Sequence, residues 1–177
     1  KRLLVAGFDK VYELGRSFRN EGMDKSHNPE FTMLEFYWAY ADYEQLMELT
    51  EELFEFLAPE LEIEYQGNAL NFSPPFKRIS LRELILEHYT IDIQDANEET
   101  LTNILRKFGE KIDGDMPRCK LIDELFKTIR PKIIQPTFVI NFPIEMLPLA
   151  KASQENFKEA DMFQLLIGGM EIIKAYS

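Results

Sequence analysis

Two runs of alternating apolar and polar residues, at 11–19 and 30–38, flank the polar loop 20–29, and this pairing limits the fold more than any other feature of the chain. Strict alternation is the signature of half-buried strands, because successive side chains on a strand point to opposite faces. Parity therefore sorts the side chains. On the first strand Glu13, Gly15, Ser17 and Arg19 share one face, while Tyr12, Leu14 and Phe18 share the other. On the second, Phe31, Met33, Glu35 and Tyr37 share a face, and Leu34, Phe36 and Trp38 lie opposite. The large apolar sets are the expected core faces.

The remaining faces combine carboxylates, a guanidinium, a phenol and an aromatic ring, with small residues between Glu13 and Arg19. Pairing of the two strands with Arg19 near Phe31 and Gly15 near Glu35 would leave an open volume over Gly15. Arg19 suits an anionic oxygen, since its planar fork holds a phosphate or carboxylate bidentately. Phe31 could stack on a planar base, and Glu35 with Tyr37 suits an ammonium group. A solvated hairpin with an ion-paired outer face has the same pattern. The residues alone leave both readings open.

Composition narrows the class. A chain of 177 residues with 45% hydrophobic content is long enough for one domain with a sizeable core. The formal net charge of -11 argues against this segment alone gripping a nucleic-acid backbone, and Lys1 with Arg2, or Arg78 with Arg82, is too little for a basic stripe. Cys119 is the single cysteine, so no internal disulfide forms and a reducing, cytoplasmic setting is expected. Two histidines and one cysteine offer no zinc spacing. Apolar runs are too short to span a bilayer, and no signal-peptide pattern opens the chain. Lys1 enters within an apolar run and Ser177 follows a strand-like stretch, so the expectation is a piece of a longer protein.

Along the chain, residues 3–5 suit a short helix closed by Gly7, and Asp42 with Gln45 forms a capping box for a helix that Pro59 ends. Glu44, Glu48, Glu51, Glu52 and Glu55 form its expected solvated face. Residues 61–65 and 69–72 read as short strands about a Gly67–Asn68 turn. Ser80 with Glu83, Asn97 and Pro117 open three helices, the last stopped by Pro131. Residues 134–142, 163–168 and 171–175 read as further strands, with Gly168 and Gly169 making a turn or bulge. Strands, a helical block, then strands again predict an α+β fold. It is a mostly antiparallel sheet flanked by helices, one domain over 1–177 with a helical insertion at about 80–131.

The run FRNEGMDKSHNPEFTMLEFYWAYADY resembles motif 2 of class II aminoacyl-tRNA synthetases, in the wording of the lysyl-tRNA synthetases. The aspartyl and asparaginyl relatives carry a different loop without HNPEFT. The similarity extends through KRLLVAGFDKVYELGRSFRN, IQPTFVINFP, PLAK and FQLLIGGMEIIKAYS, and so spans most of the chain. It implies a partial class II catalytic core whose motif 1 lies before Lys1 and motif 3 after Ser177.

By that resemblance, Arg19 is the catalytic arginine that holds the α-phosphate and the amino-acid carboxylate. Glu21 contacts the adenine amino group, His27 and Asn28 the phosphate end, and Phe31 stacks on adenine, completing an ATP site. Glu35, Tyr37 and Tyr176 line the lysine site. Glu171 is one of two acidic positions that bind Mg2+ near the phosphates. The chain departs from the pattern at two positions, and it ends at Ser177, one residue before the acid that the family sets against the lysine ε-ammonium. Gln164 stands where the family commonly has the other metal-binding glutamate, and a neutral amide is a weaker ligand for a hard cation. Lys174 stands where asparagine is usual.

The implied activity is a lysine-tRNA ligase that forms lysyl-adenylate from lysine and ATP and transfers it to tRNA. Magnesium serves as cofactor, and tRNA contacts lie largely outside this chain. The implied whole protein is a cytoplasmic homodimer without a membrane span, and the isolated segment is expected to be inactive. Two other readings remain: a paralogue that lysylates a protein, and a non-catalytic synthetase-like module. No Ser-His or Cys-His pair competes as a nucleophile, which fits chemistry that works by positioning and charge stabilisation.

Overall fold

A computed structural model describes residues 1–20, 22–23, 27–58, 60–112 and 114–177. The chain forms two compact units, Lys1–Ala41 and Asp42–Ser177.

The first unit is a helix followed by a long hairpin. Helix α1 (Arg2–Val5) ends before Gly7, whose φ of 94° is a left-handed conformation that glycine adopts without a Cβ clash. Strands β1 (Lys10–Phe18) and β2 (Glu30–Trp38) pair antiparallel. Glu13 lies opposite Glu35, Gly15 opposite Met33 and Ser17 opposite Phe31. The expected pairing of Arg19 with Phe31 and Gly15 with Glu35 is thus offset by two residues, which makes them diagonal neighbours. A slip of two preserves every face assignment, whereas a slip of one would have inverted them all. The ladder also continues past the strand end, where the Arg19 amide donates to the Pro29 carbonyl at 2.9 Å.

The apolar face of this hairpin is not a core. Tyr12 is 78% exposed, Leu14 65% and Phe18 72%, and Leu34 is exposed as well. A two-stranded ribbon buries a face only against a second layer. Among the described residues of this unit no element covers it.

In the second unit, α2 (Tyr43–Leu57) starts at the Asp42 capping box: Gln45 N–H donates to Oδ1 at 2.9 Å, and the Gln45 side chain accepts from the Asp42 amide. Pro59 lies outside the described residues. Glu51 departs from the solvated face expected for the α2 glutamates. It is buried, accepts the Phe76 amide at 2.7 Å and lies 3.9 Å from Arg78. That side of α2 faces protein because a buried carboxylate here has a backbone donor and a cation to satisfy it. Strands β3 (Glu62–Tyr65) and β4 (Asn68–Asn71) form a hairpin whose turn is Gln66–Gly67, at φ 50° and 76°. The turn is not Gly67–Asn68, because Asn68 already pairs with Tyr65. Two positive φ values are what a two-residue hairpin turn requires.

The main sheet has the order β5–β6–β7–β8, formed by Lys77–Ser80, Thr137–Pro143, Glu159–Ile167 and Met170–Tyr176. Strands β6, β7 and β8 run antiparallel, whereas β5 pairs parallel to β6. The segment Lys77–Ser80 is too short and polar to announce a strand in the sequence. Helices α3 (Leu81–Tyr89), α4 (Glu98–Lys107) and α5 (Arg118–Ile129) fall between β5 and β6, as a parallel connection requires. Their apolar stripes, including Leu84, Leu101, Leu105, Leu121, Leu125 and Phe126, pack with Val139, Phe142, Met162 and Leu166 of the sheet. Phe54, Phe72, Phe76, Phe138 and Phe163 make a second, aromatic cluster. With both faces covered, β7 is buried from Met162 to Ile167. Strand β8 follows after the Gly168–Gly169 turn, where both residues have positive φ. The architecture is α+β.

Candidate functional site

On the hairpin, parity and register bring Arg19, Phe31, Glu35 and Tyr37 onto one face with Glu13 and Gly15. The Arg19 guanidinium carbon lies 5.2 Å from the Phe31 ring centroid, a cation–π contact that holds an exposed guanidinium beside a half-buried ring. Between this pair and the acidic end, Gly15 is open: a Cβ there would meet no atom within 4 Å.

The other end of the face is built for positive charge. Glu13 and Glu35 are direct cross-strand partners, an arrangement of like charges that is unfavourable until a cation joins it. Tyr37 donates a hydrogen bond from its hydroxyl to Glu35. That bond, with some burial and the Glu35 charge, holds the phenol above its usual range, so it stays a donor. The Lys1 ammonium lies 5.3 Å from the Tyr37 ring centroid, so this corner already attracts an ammonium group. His27 and Asn28 are exposed in the loop after Gly22 and Met23. Glu21 lies outside the described residues.

The second unit gathers the remaining candidates on one strand pair. Across the β7–β8 ladder, Tyr176 faces Met162, Lys174 faces Gln164, and Glu171 faces Leu166 after a register shift. Directly opposed residues share a sheet face, so Gln164, Glu171, Lys174 and Tyr176 are co-facial. Glu171 and Tyr176 are exposed, and the Lys174 ammonium lies 5.7 Å from the Tyr176 ring centroid. Gln164 is 7% exposed, and its Oε1 has no hydrogen-bond partner. Arg130, in the short turn after α5, places Nη1 3.6 Å from Glu171 and its guanidinium carbon 5.4 Å from the Phe126 ring centroid. Sequence reasoning missed Arg130, since nothing in a helix-ending RPK run ties it to a strand residue 41 positions on.

Among the described residues, no three His, Cys, Asp or Glu side chains gather into a metal cluster. Magnesium usually takes one or two protein oxygens and fills its shell with water and substrate phosphates. The Glu171 carboxylate fits one ion brought in with a nucleotide. Gln164, a neutral amide opposite an ammonium, does not fit a second.

A sequence model of the class II tRNA synthetases (D, K and N) matches residues 1–177. The chain belongs to this family. Curated relatives include the lysine--tRNA ligases of Fervidobacterium nodosum, 42% identical, Porphyromonas gingivalis, 42%, and Moorella thermoacetica, 43%. Each alignment covers 100% of this chain but only 35%, 32% and 37% of the relative. The chain therefore spans about a third of the length of the synthetases it matches. Among the described residues no helix is long and apolar enough to cross a membrane.

Proposed function

We propose that this chain is part of a lysine-tRNA ligase that activates lysine with ATP and passes the lysyl group to tRNA. The observation that carries the reading is the composition of the hairpin face. It holds a guanidinium beside an aromatic ring at one end, open space over Gly15, and paired carboxylates with a phenol donor at the other. Relatives at 40–43% identity that are lysine--tRNA ligases support it.

In the first step a carboxylate oxygen of lysine attacks the α-phosphorus of ATP, the bond to the bridging oxygen breaks, and pyrophosphate leaves. Arg19 binds the α-phosphate and the attacking carboxylate, aligning them and neutralising the charge that develops at phosphorus. Phe31 stacks on adenine, Glu21 accepts from the adenine amino group, and His27 and Asn28 meet the phosphate end. Glu35 accepts from a lysine ammonium, and Tyr37 holds that carboxylate in place. In the second step a terminal hydroxyl of tRNA attacks the lysyl carbonyl and AMP departs. Glu171 would hold a Mg2+ ion brought in with the nucleotide, and that ion would supply charge neutralisation at the phosphates. Tyr176 packs against lysine. The whole protein works as a cytoplasmic homodimer.

Amino-acid-dependent ATP–pyrophosphate exchange by the full-length protein tests this, with lysine, aspartate and asparagine compared. Lysine alone should support exchange, because a carboxylate side chain meets repulsion at Glu13 and Glu35 and an amide brings no charge. Exchange driven by aspartate or asparagine contradicts the assignment, and ATP binding without exchange marks a non-catalytic module.

A further inference from the structure

The two carboxylates that face each other across the β1–β2 ladder, Glu13 and Glu35, are not equivalent. Glu35 accepts from the Tyr37 hydroxyl, so one of its oxygens is engaged. Glu13 is exposed, and among the described residues no hydrogen-bond donor or cation pairs with it. An ionised carboxylate has about four acceptor positions on its two oxygens, so Glu13 is the freer acceptor of the two. Direct cross-strand partners start about 4.5–5.5 Å apart at Cβ, close enough for one ammonium, with its three donors, to serve both.

The length of the face fits the same ligand. The Arg19 guanidinium leans over Phe31, which lies opposite Ser17. Ser17 and Glu13 are four residues apart on β1, a span of about 13 Å at the usual strand rise. On that face of β1 only Gly15 lies between them, and a Cβ there would meet no atom within 4 Å. An extended lysine with its carboxylate on Arg19 and its ammonium at Glu13 bridges such a span, with a hydrogen bond at each end. Because one strand carries both ends, their separation does not adapt to a shorter amine.

We propose that Glu13 selects the substrate by charge: its carboxylate takes the side-chain ammonium of lysine jointly with Glu35, and so discriminates against neutral amino acids of the same length. This rests on the lysine-tRNA ligase reading, in which Arg19 holds the substrate carboxylate. A site built around an ionic hydrogen bond rejects an analogue that leaves its carboxylate without a counter-charge.

The test uses lysine-dependent ATP–pyrophosphate exchange by the full-length protein, with 6-hydroxynorleucine as competitor. In that analogue a neutral hydroxyl replaces the ammonium. Glu13→Gln should raise KM for lysine about tenfold or more, the loss expected for one charge-assisted hydrogen bond. It should leave the inhibition constant of 6-hydroxynorleucine nearly unchanged, so the preference for lysine falls by the same factor. Glu13→Asp keeps the charge and should retain most of the preference. An unchanged preference in Glu13→Gln overturns the role of Glu13, as does an equal weakening of both compounds, which is the mark of a merely structural residue. Exchange by the natural protein with another amino acid and not with lysine overturns the ligase reading itself.

Discussion

Arg19 and Phe31 stand 5.2 Å apart, guanidinium carbon to ring centroid, although they are not cross-strand partners: Ser17 occupies the position opposite Phe31. The contact is diagonal. It leaves the Arg19 fork exposed beside the ring, where a planar base can stack while the guanidinium reaches a phosphate.

Phe31→Ala in the full-length enzyme should raise KM for ATP by about tenfold and change kcat less. Under the proposed role the ring would contribute stacking that is similar in the ground and transition states, worth roughly 1–3 kcal/mol per base. Steady-state kinetics in ATP separates the two parameters. A fall in kcat with KM unchanged would place Phe31 elsewhere in the reaction.

Glu35→Gln should weaken lysine binding by about tenfold or more with little effect on ATP, because it removes one of the two paired carboxylates that draw an ammonium to this corner. Tyr37→Phe should show a smaller loss of the same kind, since it removes the hydrogen bond to Glu35 but leaves the charge. Lysine titrations at saturating ATP measure both. Equal KM for lysine in Glu35→Gln and the natural protein would remove this corner from the lysine site.

Gly169→Ala should destabilise the second unit by about 1–3 kcal/mol. Gly169 has a φ of 81°, and a Cβ there would lie 3.1 Å from both the Cα and the carbonyl oxygen of Pro131. A lowered urea midpoint with unchanged slope is the expected reading. An unchanged midpoint would mean that the turn and Pro131 relax apart at no cost.

Acid should loosen the first turn of α3 together with the loop that follows the helix. Hydrogen bonds from Ser80 hold the Glu83 carboxyl below its ordinary range, and those from Arg82 and then the Gln94 amide do the same for Asp92. A carboxyl lowered in the folded chain contributes stability that is fully present above its unfolded value. That contribution is lost as pH falls through the lowered one. Glu83 is exposed and Asp92 only partly buried, so the effect is small and screened by salt. Hydrogen exchange of α3, corrected for intrinsic rates, should rise through that window and depend less on pH in Asp92→Asn. An identical pH profile in the variant would assign the acid sensitivity to other groups.

Much of this was legible in the sequence because the signals were local. The Asp42–Gln45 and Ser80–Glu83 capping boxes and the Asn97 cap all form where the residue spacing put them. Strand parity sorted the hairpin faces correctly, since face assignment depends only on alternation. Register depends on the turn, and loop 20–29 has no turn type to fix it, so alternation alone leaves the pairing free to differ by two residues from the one the structure adopts. Burial was less legible still: Tyr12, Leu14 and Phe18 look like core residues, yet their face is open. Glu51 is the reverse case, an acidic residue buried by the distant Phe76 amide. The Gln164–Lys174 rung needed the β7–β8 register, which a run of mixed apolar residues does not specify.

Single-turnover formation of lysyl-adenylate by the full-length protein, with the natural residue and with Arg19→Lys, tests the role of the hairpin face most directly. Arg19→Lys keeps the charge but loses the planar fork, so the interaction that tightens as charge builds on the α-phosphate is lost. The adenylate rate should fall about 10²-fold or more, with ATP binding nearly unchanged. Adenylate formed by Arg19→Lys at the natural rate would contradict the assignment of Arg19 to the α-phosphate.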